Sequence, residues 1–243
     1  MSTIAENLEA VRTVIAEAAR RAGRNAGDIE LVAVSKVHPP EAVVEAIAAG
    51  QFVFGESRVQ EARAKIPLLP GRARWHFIGH LQRNKIRHAL ALGFELLHGI
   101  DSLEIAHDLD RMAGEAGAFP RVLLEINVAG EASKFGFSPV KLRAQLEELL
   151  ALERLQIEGL MTIAPLAPEA EASRPHFAAL RQLRDQLQTE FRLPIPRLSM
   201  GMSGDYAVAI EEGATLVRVG TAIFGTRKGK AWKPAAESAT FDD

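Results

Sequence analysis

Two hydrophobic periods alternate along this chain. The first 23 residues intersperse acidic and basic side chains among apolar ones, which predicts an amphipathic helix capped near Ser2 or Thr3. Downstream, short runs rich in β-branched and aliphatic residues recur. They predict eight strands, at 31–36, 52–55, 75–79, 96–100, 122–127, 157–163, 197–201 and 216–220. Between them lie stretches of helical period, for example 40–50, 102–117 and 175–191. Several open with Ser, Asp or Pro and close with Gly, as helix caps prefer.

Strand–helix alternation demands right-handed crossovers and a parallel sheet covered by helices. Eight such units in about 200 residues suit a single α/β domain, a closed (β/α)8 TIM barrel with an extra N-terminal helix. An open doubly wound sheet is the alternative. The expected organisation is a barrel over residues 1–225, N-terminal helix included, and a partly disordered tail over 226–243, which lacks periodicity.

Composition narrows the function classes. Of 243 residues, 29 are basic and 31 acidic, a formal net charge of −2, so no general pull toward nucleic acid or an anionic membrane exists and any anion site is built locally. With no cysteine, disulfides and thiolate metal sites are excluded and a cytoplasmic location is expected. No apolar run approaches the roughly 20 residues of a membrane span. The cluster Arg83, Lys85, Arg87 and His88 has no interleaved aromatics and reads as a solvated helix face. His76 and His80 straddle a strand end with no third ligand evident, so no metal is expected.

Chemistry in such a barrel belongs to the carboxyl ends of the strands. The first strand ends in Ser35-Lys36, which places an ammonium group at the mouth. Burial there would lower the lysine pKa and make it a Schiff-base nucleophile; a lysine whose head reaches solvent is the other reading. Strands seven and eight run into Gly201-Met202-Ser203-Gly204-Asp205 and Gly220-Thr221-Ala222-Ile223-Phe224-Gly225. Both combine glycines with a hydroxyl in the two positions where this fold binds phosphate. Arg218, two residues before Gly220, faces the mouth, unless it pairs with one of the many carboxylates. A carbonyl trap, an arginine and a phosphate cradle match the aldehyde, ring nitrogen and phosphate of pyridoxal 5′-phosphate (PLP).

The segments AVSKVHP, FGESRVQE, WHFIGHLQRNK, INVAGEASKFG, GLMTIAP and LSMGMSGDYAVAIEEGATLVRVGTAIFG occur in that order across nearly the whole length. On them the chain resembles the pyridoxal phosphate homeostasis proteins, which share the barrel of the alanine racemase N-terminal domain, fold type III among PLP-binding proteins. The resemblance implies that Lys36 carries the cofactor as a Schiff base, that Arg218 faces the pyridine nitrogen, and that Ser203, Gly220 and Thr221 hold the phosphate. It also implies that Ile78, Gly79, Met200, Gly201 and Met202 line the pocket. The family usually has asparagine where this chain has Ser57, a departure from its pattern at that position.

The resemblance favours storage, buffering or delivery of PLP, with PLP-dependent apo-enzymes as partners, over catalysis. No residue is assigned a catalytic role. A PLP-dependent amino-acid racemase, or another Schiff-base enzyme such as a class I aldolase, is the alternative, with His38, His76 or His80 as a base. A racemase needs a second acid–base group, which relatives draw from a separate β-domain; the one tyrosine, Tyr206, falls in the helix after strand seven and reads as packing. Without that domain a monomer is expected.

Overall fold

The computed structural model describes residues 2–131, 134–225 and Trp232. Its leading helix, α1 (Ile4–Arg21), starts in a capping box: the Thr3 hydroxyl accepts from the Glu6 N–H while the Glu6 carboxylate accepts from the Thr3 N–H. Eight strands follow, β1 (Glu30–Val34), β2 (Val53–Glu56), β3 (Arg74–Phe77), β4 (Leu96–Ile100), β5 (Arg121–Glu125), β6 (Gln156–Met161), β7 (Arg197–Ser199) and β8 (Leu216–Val219). After successive strands come α2 (Pro40–Ala48), α3 (Val59–Lys65), α4 (Ile86–Leu92), α5 (Leu103–Ala116), α6 (Pro139–Leu150), α7 (Arg174–Phe191), α8 (Tyr206–Glu211) and α9 (Thr221–Phe224).

All neighbouring strands pair in parallel, and β1 pairs with both β2 and β8, so the sheet closes. The barrel is therefore the observed architecture, and the open sheet is excluded. Six strands, all but β3 and β7, carry apolar residues on both faces because each face meets a different core. Val32, Val53, Leu96, Leu123, Met161 and Leu216 fill the barrel interior. Their neighbours Ala33, Phe54, Leu97, Leu124, Leu160 and Val217 face the helical layer.

Residue positions at the strand ends differ from expectation. Strands β1, β3, β5, β6, β7 and β8 stop one or two residues short of the apolar runs, because the chain leaves the ladder to turn at the mouth: Val37 has φ 65° and Gly201 φ 90°. Lys36, Gly79, Gly201 and Gly220 consequently sit on loops, not on strands. The expected tail, 226–243, lies outside the described residues except for Trp232.

The leading helix has a structural task that its position in the sequence does not announce. The helix after β8 is a single turn, α9, too short to cover the β8–β1 seam. Helix α1 packs there instead, against α8, α9 and α2. Asn7 donates to the Ile223 carbonyl at 2.8 Å and Arg24 to the Ile210 carbonyl at 2.7 Å, while Leu8, Val11 and Ile15 are buried. Among the described residues no helix is long and apolar enough to cross a membrane.

If α1 completes the barrel wall, Leu8→Ala, at a fully buried position, will cost about 2–5 kcal/mol of stability. Urea unfolding measures this. A loss below about 1 kcal/mol would mean that α1 is not part of the cooperative unit.

Candidate cofactor site

The carboxyl mouth holds a cavity of about 370 Å³, a size ordinary for a small-molecule site. Arg218 forms part of its wall. Strand alternation turns this residue to the inside of β8, and its guanidinium donates to the Ser199 hydroxyl at 2.6 Å and to the Thr162 carbonyl at 2.9 Å. Burial lowers its pKa to about 10, against the pull of Glu125 and Asp205, so it stays a cation at neutral pH. Glu125 feels the same enclosure: burial, reinforced by nearby Asp101, raises it to about 7, while Arg218 and His80 oppose the shift.

Below Arg218 a chain of hydrogen bonds crosses the barrel. Ser199 Oγ lies 2.8 Å from His98 Nδ1, and His98 Nε2 lies 3.1 Å from His76 Nδ1. An arginine only donates, so Ser199 accepts from it. The order that uses the serine proton has Ser199 donate to His98 Nδ1, and His98 then donates from Nε2 to His76 Nδ1. In that order His76 carries its proton on Nε2, which is buried with no partner among the described residues. Both imidazoles are neutral. Burial, with Arg197, Arg74 and Arg121 nearby, lowers His76 to about 3, and burial likewise holds His98 well below its ordinary value.

The glycine loops sit beside Arg218. The backbone N–H groups of Gly220 and Ala222 both point at Ser203 Oγ, at 3.2 and 3.4 Å, so the loop aims amides at one oxygen position. Thr221 is exposed on the same wall. Lys36 completes the set from the β1 exit. Its side chain is exposed, which is the solvent-reaching alternative of the two readings at that position.

Seven of the ten candidate residues meet at this cavity: Lys36, Ile78, Met202, Ser203, Arg218, Gly220 and Thr221. Three do not line it. Met200 is fully buried in the core around the helical layer. Gly201 lets α8 approach: a Cβ there would lie 2.6 Å from the Ala209 Cβ. A Cβ on Gly79 would lie 2.2 Å from the Ser57 carbonyl oxygen, so this glycine serves a backbone crossing. Ser57 itself is on the cavity wall.

Other features resolve into local pairing. His80 bonds Asp101 at 2.6 Å and stacks on Phe135, while His76 lies inside the barrel. Arg83 and Arg87 pair with Asp108 and Glu115, both on α5. Tyr206 is buried at the start of α8. The residues missed in the sequence are His98 and Ser199 under Arg218 and a buried cluster, Glu56, Glu61 and Lys65, behind Lys36. Inward register in LLHGI marks His98. The i, i+4 pair of Glu61 and Lys65 looks like any surface helix pair.

Residues 6–228 match the alanine racemase N-terminal domain family. The pyridoxal phosphate homeostasis protein of Aquifex aeolicus (strain VF5) is 43% identical over 224 residues, 92% of this chain and 98% of that protein. Its namesake in Escherichia coli (strain K12) is 45% identical over 238 residues, covering 93% and 98%. Among solved structures, PipY of Synechococcus elongatus PCC7942 aligns with a TM-score of 0.83 without PLP and 0.80 with PLP bound. Identity is 42%, over 92% of this chain and 100% of that one.

The neutral histidines carry a pH signature. An unfolded histidine takes up its proton near 6.5, whereas buried His76 refuses it down to about 3. Its contribution is therefore present above about pH 6.5 and is lost as pH falls, by about 1.4 kcal/mol per pH unit. His76→Gln should flatten the acid-side loss of stability by up to that slope, measured by urea unfolding between about pH 6.5 and pH 4.5. An unchanged slope would place the proton on His76 in the folded state.

Proposed function

The chain belongs to the alanine racemase N-terminal domain family and, within it, to the pyridoxal phosphate homeostasis proteins, and we propose that it holds PLP on Lys36 so as to store, buffer or deliver it. One observation carries the reading of the site: an amine, a guanidinium and two hydroxyl-bearing glycine loops share a cavity whose described lining residues include no carboxylate. That donor set fits a molecule with a carbonyl, a ring acceptor and a phosphate.

Each group has a distinct task. Lys36 offers the amine that closes on an aldehyde, one water leaving as the C=N bond forms. Ser203, Thr221 and the Gly220 and Ala222 amides bind phosphate oxygens. Arg218 faces the pyridine nitrogen, and its permanent charge there disfavours protonation of that nitrogen. When bound, PLP supplies an electron sink; Arg218 weakens that sink and so favours holding the cofactor over turning substrates over.

The chain acts as a monomeric carrier in this reading, not as an enzyme, and passes PLP to apo-enzymes. Support comes from the names of its relatives and from the cavity rim, where Ile163, Leu166 and Met202 expose apolar side chains on the same cavity as Lys36. A protein partner could cover such a rim.

Three measurements test the proposal. Mixed with PLP, the wild type should develop the visible absorbance of a lysine-linked cofactor and Lys36→Ala should not; equal bands would sink the assignment of Lys36. Racemisation of common amino acids should not exceed that of free PLP, whereas sustained Lys36-dependent racemisation would establish an enzyme. Loaded protein mixed with a PLP-dependent apo-enzyme should restore its activity faster than the same PLP released into solution, and an equal rate would leave a buffer without delivery.

A further inference from the structure

The β1 exit holds a residue in a conformation its side chain disfavours. Val37 is β-branched and sits at φ 65°, in the left-handed region, at a cost of about 1–2 kcal/mol. Such a residue persists only where its surroundings over-determine it. Here they do so on both sides of Lys36. The Ser35 carbonyl accepts from Lys65 Nζ at 2.9 Å, the Ser35 hydroxyl donates to Glu56 Oε1 at 2.7 Å, and the Val37 N–H donates to Glu61 Oε1 at 2.5 Å.

These three bonds converge on one ion cluster. Lys65 Nζ also donates to Glu56 Oε1 at 2.7 Å and to Glu61 Oε1 at 2.8 Å, so its three hydrogens are all used. The Lys65 and Glu56 side chains are 0% exposed and that of Glu61 is 7% exposed. The Trp232 ring lies 5.3 Å from Lys65 Nζ. Its backbone N–H donates to the Val37 carbonyl at 3.0 Å.

Stability is a poor reason for this cluster. Withdrawing an ion from water costs several kcal/mol, and well-packed apolar residues often serve a fold equally well. Two carboxylates surround one ammonium, Glu56 Oε2 has no hydrogen-bond partner among the described residues, and burial raises the Glu56 pKa. What the charges hold that apolar residues could not is the pair of peptide groups flanking Lys36.

We propose that Lys65, through Glu61 and Glu56, is the positioning residue for Lys36: the buried cluster locks the left-handed turn at Val37 and so fixes where the Lys36 amine enters the cavity. This rests on the reading that Lys36 bonds the cofactor aldehyde. The phosphate loops and Arg218 lie on β7, β8 and their loops, and among the described residues no hydrogen bond joins them to the cluster, so only the covalent part of binding depends on it.

Pyridoxine 5′-phosphate separates the two contributions, because its alcohol cannot bond an amine while its phosphate and ring are those of PLP. Kd values for both ligands would be measured on wild type, Lys65→Met and Glu61→Gln, with near-ultraviolet circular dichroism reporting the fold. Lys65→Met should weaken PLP by about tenfold or more and Glu61→Gln by less, with pyridoxine phosphate within about twofold of wild type in both. Equal weakening of the two ligands, or unchanged PLP binding in folded Lys65→Met, would overturn the proposal. Should Lys65→Met fail to fold, Glu61→Gln decides alone: an unchanged ratio of the two Kd values overturns it. Lys36→Ala serves as the independent control, since a full visible band there refutes the underlying role of Lys36 whatever the cluster variants do.

Discussion

One buried cation, Arg218, organises the interior of this barrel. A guanidinium out of water needs acceptors on its N–H groups and a compensating field, and the barrel supplies the Ser199 hydroxyl, the Thr162 carbonyl and the more distant Glu125 and Asp205. Since arginine only donates, Ser199 accepts from it and the serine proton is free for His98 Nδ1, which in turn sits against His76, and both rings stay neutral next to a positive charge. Immediately beneath, Leu216 and the other interior residues form an apolar plug, so the polar layer rests on a closed floor.

The seam that closes the barrel is also the seam that carries the site. Strands β1 and β8 pair in register from Glu30 opposite Leu216 to Ala33 opposite Val219, placing Val32 beside Arg218. Lys36 leaves the top of one strand and the Gly220 loop the top of the other. Their separation is thus set by backbone hydrogen bonds. A slip of one residue in this pairing would turn Arg218 out of the barrel and Val217 into it. Helix α1 covers this seam in place of a full eighth helix, which ties the first residues of the chain to the geometry of its last strand.

Hydrophobic period made the barrel legible, because eight largely apolar strands separated by helical stretches have few other ways to bury themselves. The chemistry of Lys36, Ser203, Gly220 and Arg218 was legible because fold position gives strand ends and phosphate loops a meaning. Two kinds of feature were not. Strand ends were drawn too long, since apolar character continues through Gly79 and Met200 after the ladder stops; those residues pack or permit backbone crossings instead of lining the cavity. Nor does the sequence reveal that Glu61 and Lys65 point inward: a helix of seven residues offers too little periodicity to tell its buried face, and its only signal, an acid and a base four apart, is commonest on surfaces. The left-handed turn at Val37 was hidden for a similar reason, as valine gives no hint of positive φ.

The distribution of proton carriers around the cavity bears on whether the protein turns substrates over. Proton exchange at a substrate carbon on both its faces requires groups on opposite walls. Among the described lining residues the amine and the imidazole, Lys36 and His38, both come from the same β1 exit, two residues apart. His38 stacks on Phe224 with ring centroids 5.1 Å apart. Across the mouth stand Ile163, Leu166 and Met202, which carry no exchangeable proton, and Tyr206 is buried in α8 and is not among the lining residues. One wall can form and release a bond to an aldehyde while the other offers only an apolar surface. With Arg218 held as a cation beside it, the cavity suits the proposed holding of a cofactor better than proton exchange on both faces of a substrate carbon.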